Sequence, residues 1–430
     1  MRRLAVASVL ISLLISSCGR TDYADETQAD KKTDIVYISN EEVGSSVEII
    51  RQLSEEYEAE HPNVRFSIEA IPEGDLSQRI TLLAASNDLP ALFRYQSGRP
   101  LLDLIRSDSV LNLEETFKEL DLYDRLNPAA VELLKSAVDG AGLYALPLEM
   151  NIEGFWYNKA IFERYGLKEP QTWDEMLRIA ETLKAAGIQP FSVAGKDKWQ
   201  ITRLINAYAI RKIGVDAMEQ VDKGTLKLTD PRFIEAASVV QDMGLKGYLG
   251  RAVNTLDVNA ATDLFLQGQA AMYYSGSWLL RDFNVPERNK LGAENIGFFS
   301  IPLVEGGAGQ LDEYPMNAGL TTSFSKAAYT EEVGDWMKDV FEEYGDRAMS
   351  ELGMVTGFNV ESMPENVPPL TRMVQEKIEG VKRASGWFEA KFSTKAQLLA
   401  WNNAQLLVTD SRFAPTRYMT ELQAVLDSEQ

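Results

Sequence analysis

The sequence predicts an α/β fold. A strand, a capped helix and a second strand follow one another within residues 35–70, helices with clear start signals recur after residue 170, and short apolar runs of strand length separate them. Ile35 to Ser39 is the first strand. Ser45, with Glu48 three residues on, has the spacing of a capping box, and Ile49, Ile50, Leu53 and Tyr57 form one helical stripe behind it. The helix stops before Pro62, with His61 as a surface cap. Val64, Phe66, Ile68 and Ala70 then alternate with Arg65, Ser67 and Glu69, the period-two pattern of a strand. Right-handed crossover makes the two strands parallel neighbours. A second helix is expected from Leu76 to about Ser86, and Ala91-Leu92-Phe93 opens the next strand.

Downstream, Thr172-Trp173-Asp174-Glu175 is another capping box, with Met176, Ile179, Ala180 and Leu183 on one face and Trp173 packed in the core beside its cap. Asp230-Pro231 starts a helix by an aspartate cap and a proline in the first turn; Phe233, Ala237, Val240 and Met243 line it. Ala270 to Tyr274 and Ile296 to Ile301 read as buried strands. Glu305 to Gln310, with Gly306, Gly307 and Gly309, reads as a connection between bodies.

The 430 residues suit two or three domains or one large bilobal body. A hydrophobic content of 45% excludes global disorder. With 43 Lys+Arg against 64 Asp+Glu the formal net charge is −21, which disfavours nucleic acid and anionic lipid as electrostatic partners, since both need a basic face. A single Cys excludes an internal disulfide and a cysteine-based zinc site, and a single His leaves little room for a His-centred metal site or hydrolase. No cofactor and no metal are expected.

The first residues read as an address. Met1-Arg2-Arg3 is positive and Leu4 to Ile15 is apolar; at helical rise that run spans roughly 18 Å, short of the roughly 30 Å hydrocarbon core of a bilayer, so it reads as a secretory signal. Ile15-Ser16-Ser17-Cys18-Gly19 resembles the lipobox of bacterial lipoproteins, in which cleavage precedes the Cys and its sulfur carries a diacylglycerol. The resemblance implies a signal peptide over residues 1–17, lipidation at Cys18, a polar tether over 18–33, and a chain held outside the cytoplasm on the bacterial cell membrane.

Isolated motifs carry little. The glycines at 306–309 do not complete G-x-G-x-x-G, and Ser323-Phe324-Ser325-Lys326 matches S-x-x-K without its companion motifs. Tyr273-Tyr274 is similar to the paired tyrosines of ferric-ion binders, but strand alternation turns one inward, so both read as packing. Carboxylates are too numerous in an acidic chain to single out a glycosidase pair.

Four stretches in order resemble the family 1 extracellular solute-binding proteins, the sugar receptors of ABC importers. Gly142-Leu143-Tyr144-Ala145-Leu146-Pro147 with Tyr157-Asn158-Lys159 is like the family's G-x-x-Y-x-x-P … Y-N-K element, although the spacing inside the first part is one residue shorter here. Pro170-Gln171-Thr172-Trp173-Asp174-Glu175 looks like its P-x-T-W-x-E helix start. Phe265-Leu266-Gln267-Gly268-Gln269-Ala270-Ala271-Met272 with Gly276-Ser277-Trp278 is similar to F-x-x-G-x-A-A-M … G-x-W, and Ala84 to Pro90 resembles A-x-S/G-x-x-P-D, with Ala91 in place of the Asp. The resemblance implies a two-lobed periplasmic-binding-protein-like fold of type II, each lobe a mostly parallel sheet flanked by helices, with ligand clamped between them. It places the N-terminal lobe at 34–138 plus 303–355 and the C-terminal lobe at 139–302 plus 356–430, with hinge crossings near Val138, Pro302 and Val355.

It also implies a site. Trp278 matches a cleft indole that stacks on sugar, Trp387 in Gly386-Trp387-Phe388 sits where several members place a second plate, and Glu149 matches a hydroxyl-binding acid. The loop after the first strand (Asn40, Glu41), the loop around Tyr95 and Gln96, and Asn317 are expected to contribute from the other lobe. The implied partners are a carbohydrate and the importer's permease subunits, with the chain itself a non-enzymatic monomer. Two other classes stay open: a receptor of this fold for a polyol, sugar phosphate or metal, and an extracellular carbohydrate-active enzyme. Arg94 and Arg99 would face a phosphate in the former, though both read as surface.

Overall fold

The computed structural model describes residues 32–40 and 45–429; the signal segment, Cys18, most of the tether and Glu41 lie outside them. Among these residues the strands are, in order, β1 (Thr33–Ser39), β2 (Val64–Ala70), β3 (Leu92–Tyr95), β4 (Asn151–Asn158), β5 (Gln189–Ser192), β6 (Ala270–Gly276), β7 (Ile296–Phe299), β8 (Glu313–Asn317), β9 (Thr321–Phe324) and β10 (Arg383–Ser385). They form a four-stranded sheet, β2-β1-β3-β9, and a six-stranded sheet, β10-β8-β4-β6-β5 with β7 also beside β4.

One strand in each sheet runs against the rest. β1 is parallel to β2 and β3, while β9 is antiparallel to β3. β4 is antiparallel to β6, β7 and β8, and β5 and β10 lie parallel to β6 and β8. β4, β9 and β10 are the strands that enter a sheet from the other one; β4 and β9 do so along the segments that join the two sheets, and β10 after the helices Glu331–Leu352 and Pro369–Glu379.

Local signals account for the elements that frame the sheets. Ser45 caps the helix Ser46–Glu60 by accepting from the Val47 N–H at 3.3 Å. Neither half of the expected capping box forms: the Ser45 hydroxyl takes the Val47 amide instead of that of Glu48, and the Glu48 carboxylate takes Arg51 and Gln52 as partners, a guanidinium being a stronger donor than a backbone amide. At Thr172 both halves of the box form, and Trp173 is buried edge-on to Phe155 and Tyr208. His61 ends its helix, its N–H bonded to the Tyr57 carbonyl and its ring stacked on Tyr57. Tyr273 and Tyr274 are both buried in β6; the first hydroxyl accepts from Gln200 and the second donates to Glu153.

The core divides with the sheets. Ile35, Tyr37, Trp336 and Phe341 belong to a cluster on the four-stranded sheet, where the helix Glu331–Leu352 packs on Ser46–Glu60 and the Trp336 indole donates to Ser54 at 3.0 Å. Phe155, Trp173, Phe191 and Phe233 belong to a cluster on the six-stranded sheet, which the C-terminal helices Thr394–Thr409 and Pro415–Glu429 help to close.

The chain changes sheets later than expected at two of three places. Leu146 pairs with Thr322 and Asn151 with Asn317, so 146–151 and 317–322 run antiparallel from one sheet to the other. The third crossing lies against the first, with the Met150 N–H on the Val355 carbonyl (2.9 Å) and the Gly357 N–H on that of Pro147 (2.8 Å). Sheet membership therefore changes near 147 and 318 rather than 138 and 302. The glycine stretch is not the connection: Gly307 and Gly309 lie so close to the helix Trp199–Lys212 that a Cβ on either would stand 2.2 Å from the Arg211 carbonyl oxygen or 2.4 Å from that of Ile210. Buried Arg211 holds this stretch by donating to the Ile301 and Glu313 carbonyls, each at 2.8 Å, and burial lowers its guanidinium to about 10.

Candidate functional site

The crossing segments floor a cavity of about 150 Å³. Asn40, Arg94 and Gln96, at the ends of β1 and β3, form one wall; Glu149, Asn317, Gly319 and Leu320 form the floor. The opposite wall comes from the six-stranded sheet and its helices: Trp199 and Arg203 from Trp199–Lys212, Trp278 and Arg281 after β6, Trp387 and Glu389 after β10, and Gln397 and Trp401 from Thr394–Thr409.

The chain has seven tryptophans. Trp156, Trp173 and Trp336 are buried in the cores, and the remaining four, Trp199, Trp278, Trp387 and Trp401, all line this cavity. Trp278 can fold back over the end of β6 because residue 276 is glycine: a Cβ there would stand 2.0 Å from its six-membered ring. Trp199 meets Trp278 edge-on, ring centroids 5.8 Å apart. The Arg203 guanidinium lies 5.3 Å from the Trp199 ring and 4.9 Å from that of Trp387, and its charge is answered by Glu153.

The floor is tightly bonded. Glu149 is 6% exposed; its Oε1 accepts from Arg94 at 3.1 Å and Ser46 at 3.3 Å, and its Oε2 from Asn151 at 3.1 Å. The Asn317 amide donates to Glu153 at 2.9 Å, and its carbonyl accepts from the Gly319 N–H at 2.9 Å. Burial raises the Glu153 carboxyl above the usual range, against the pull of Arg203. Four buried side-chain atoms of lining residues nonetheless have no hydrogen-bond partner: Asn40 Oδ1, Trp199 Nε1, Arg203 Nε and Glu389 Oε2. Buried polar atoms are usually paired; these two acceptors and two donors are four of thirteen unpartnered buried side-chain atoms among the described residues, and others, such as Trp156 Nε1 and Trp173 Nε1, lie in the cores.

A second cavity of about 630 Å³ adjoins the first and shares Asn317 and Trp387 with it. Two contacts tie the walls across the cleft, the first at the smaller cavity and the second at the larger. Gln397 donates to Gln96, and Lys391 bonds Asp139 at 2.7 Å and the Ser136 carbonyl at 3.3 Å.

Of the residues expected to form a site, Asn40, Gln96, Glu149, Asn317, Trp278 and Trp387 line the same cavity. Tyr95 does not. Alternation along β3 and the residue after it sends Arg94 and Gln96 to the cavity and Tyr95 to the opposite face, where it is buried and bonded to Thr81. Glu41 lies outside the described residues. Arg94 reads as surface in the sequence, yet it is 2% exposed because Glu149 and the Leu320 carbonyl hold it. Trp199, Arg203, Glu389, Gln397 and Trp401 carry no motif. The one usable sign is Trp401, a large ring off the buried stripe Ala396, Ala400, Ala404 and Leu407 of its helix. Among the described residues no group of three His, Cys, Asp or Glu could hold a metal ion, and no helix is long and apolar enough to cross a membrane.

Residues 43–340 match the family described as bacterial extracellular solute-binding protein. An uncharacterized ABC transporter extracellular-binding protein of Pyrococcus horikoshii is 25% identical over 285 residues, 64% of this chain and 66% of that protein. The multiple sugar-binding protein of Streptococcus mutans is 24% identical over 285 residues, 63% of each chain. The aligned stretches thus span just under two thirds of these relatives' own length. A solved chitin oligosaccharide binding protein superposes with a TM-score of 0.83 at 25% identity, covering 93% of this chain and 99% of that one.

Proposed function

The chain belongs to the bacterial extracellular solute-binding protein family, and from that premise we propose that it captures a sugar or oligosaccharide for an ABC importer. The observation that carries the reading is the convergence of four indoles and four unpartnered buried polar atoms on one cavity. A sugar ring presents an apolar C–H face and a rim of hydroxyls. Indoles cover the first, and the leftover donors and acceptors pair with the second. The relatives named as sugar-binding support the same class of cargo. The small cavity suits a single ring, and the larger one beyond Trp387 gives room for further units of a chain.

On this reading the protein is a receptor and makes or breaks no bond. The lobes pivot on 146–151, 317–322 and the stretch near 355, and a ligand touching both walls favours the closed arrangement over the open one. The importer's permease subunits would recognise that closed shape. The lipobox-like segment supports an anchor at Cys18, and Cys18→Ser should release a soluble, unlipidated protein in a membrane fractionation. The function itself is tested by thermal shift against saccharides, polyols and sugar phosphates, because a ligand stabilises by RT ln(1 + [L]/Kd). Stabilisation by saccharides is expected; stabilisation by sugar phosphates alone would replace the reading.

A further inference from the structure

Three carboxylates lie in or just behind the cavity, and they differ in what remains free. Glu149 has both oxygens engaged by Arg94, Ser46 and Asn151. Glu153 has both engaged by Arg203, Asn317 and Tyr274. Glu389 is different. It is 1% exposed, its Oε1 accepts from the Trp401 indole at 2.8 Å and the Thr202 hydroxyl at 3.2 Å, and its Oε2 accepts from nothing. Its position is set by the buried rings on either side, Phe388 and Phe392, whose centroids are 5.5 Å apart, and by the turn bond from the Phe392 N–H to its own carbonyl.

We infer that Glu389 Oε2 accepts a hydrogen bond from a hydroxyl of the bound sugar and makes Glu389 a specificity-determining residue, the part expected of Glu149. The inference rests on the sugar-receptor reading and adds to it the residue that discriminates among saccharides. A buried carboxylate oxygen without a donor is costly, so a saccharide lacking a hydroxyl at that point leaves the cost in place. Glu149 by contrast is a structural member of the floor. In a glutamine at 389 the carbonyl would take over Trp401 and Thr202 and turn an amide donor toward the ligand; a sugar hydroxyl can rotate to accept from it, so what is lost is the stronger bond to an ionised acceptor.

The test uses the full chain in mild detergent and calorimetry with raffinose, maltotriose, xylotriose and tri-N-acetylchitotriose, then the monodeoxy derivatives of the tightest binder. One deoxy position should cost wild type about ten- to a hundredfold in affinity, as expected for a hydrogen bond to a charged group. Glu389→Gln should bind the parent sugar at least tenfold more weakly, melt within a few degrees of wild type, and show less than a threefold penalty at that deoxy position. A role only in holding Trp401 would weaken parent and deoxy sugars alike, and that result overturns the inference. So does a wild-type scan in which no deoxy position costs more than threefold, an outcome that needs no variant to fold. Binding of none of the four by wild type would instead remove the sugar reading and this assignment with it.

Discussion

The two walls of the cleft are made from different chemistry. The wall on the four-stranded sheet presents Asn40, Arg94 and Gln96, and no indole; the wall on the six-stranded sheet presents four. Arg94 is locked to Glu149 and the Leu320 carbonyl, so this side is rigid and polar before any ligand arrives. The other side offers flat apolar faces and the free oxygen of Glu389. Under the proposed function the difference assigns adhesion to the aromatic wall and leaves the polar wall to complete the contacts on closure. Stacking tolerates many sugars, whereas fixed donors and acceptors do not.

Substitutions can break this contrast, and the largest effect is expected at Arg94. Arg94→Ala leaves Glu149 as a buried carboxylate without its cation, which should cost about 3–5 kcal/mol of stability in a denaturant titration. A loss below 1 kcal/mol would show that the polar wall is not locked. On the aromatic wall, Trp278→Ala should weaken sugar binding by more than about tenfold, about 1.4 kcal/mol, with the melting transition kept. Unchanged affinity by calorimetry would reject Trp278 as a plate. Gly276→Ala sharpens the point: φ at 276 is −92°, so alanine is not strained there, yet its methyl would displace the Trp278 ring. Its affinity should fall in the same direction.

The smallest effect belongs to the rim. Lys391 and half-exposed Asp139 form a pair of the kind worth roughly 0–1 kcal/mol, so Lys391→Ala should lower affinity by about fivefold at most. Scattering on the ligand-free variant should show a more open particle; an unchanged profile would mean the pair does not hold the walls together.

How much of this was legible follows from the range of the signals. Thr172, Asp230 and Ser45 start helices through bonds to amides two or three residues away, so they are readable in a short window. Trp278 is readable because Gly276, two residues before it, records the space its ring needs. Tyr95 reads as loop in the sequence, but β3 runs to Tyr95, and strand alternation there turns its side chain to the face opposite Arg94 and Gln96. Arg94 looked like surface because its partner is 55 residues away.

The sequence by itself determined the α/β class, the starts of the helices after Ser45, Thr172 and Asp230, the first βαβ unit and the family resemblance, since each lives in contacts of a few residues or in a run of local motifs. The tertiary structure decided which sheet holds Glu313–Asn317, where the chain crosses, and that Trp199 and Trp401 join Trp278 and Trp387. It also decided which carboxylate keeps an oxygen free. Those outcomes depend on pairs such as Thr202 with Glu389, which are 187 positions apart and meet only when both sheets have formed.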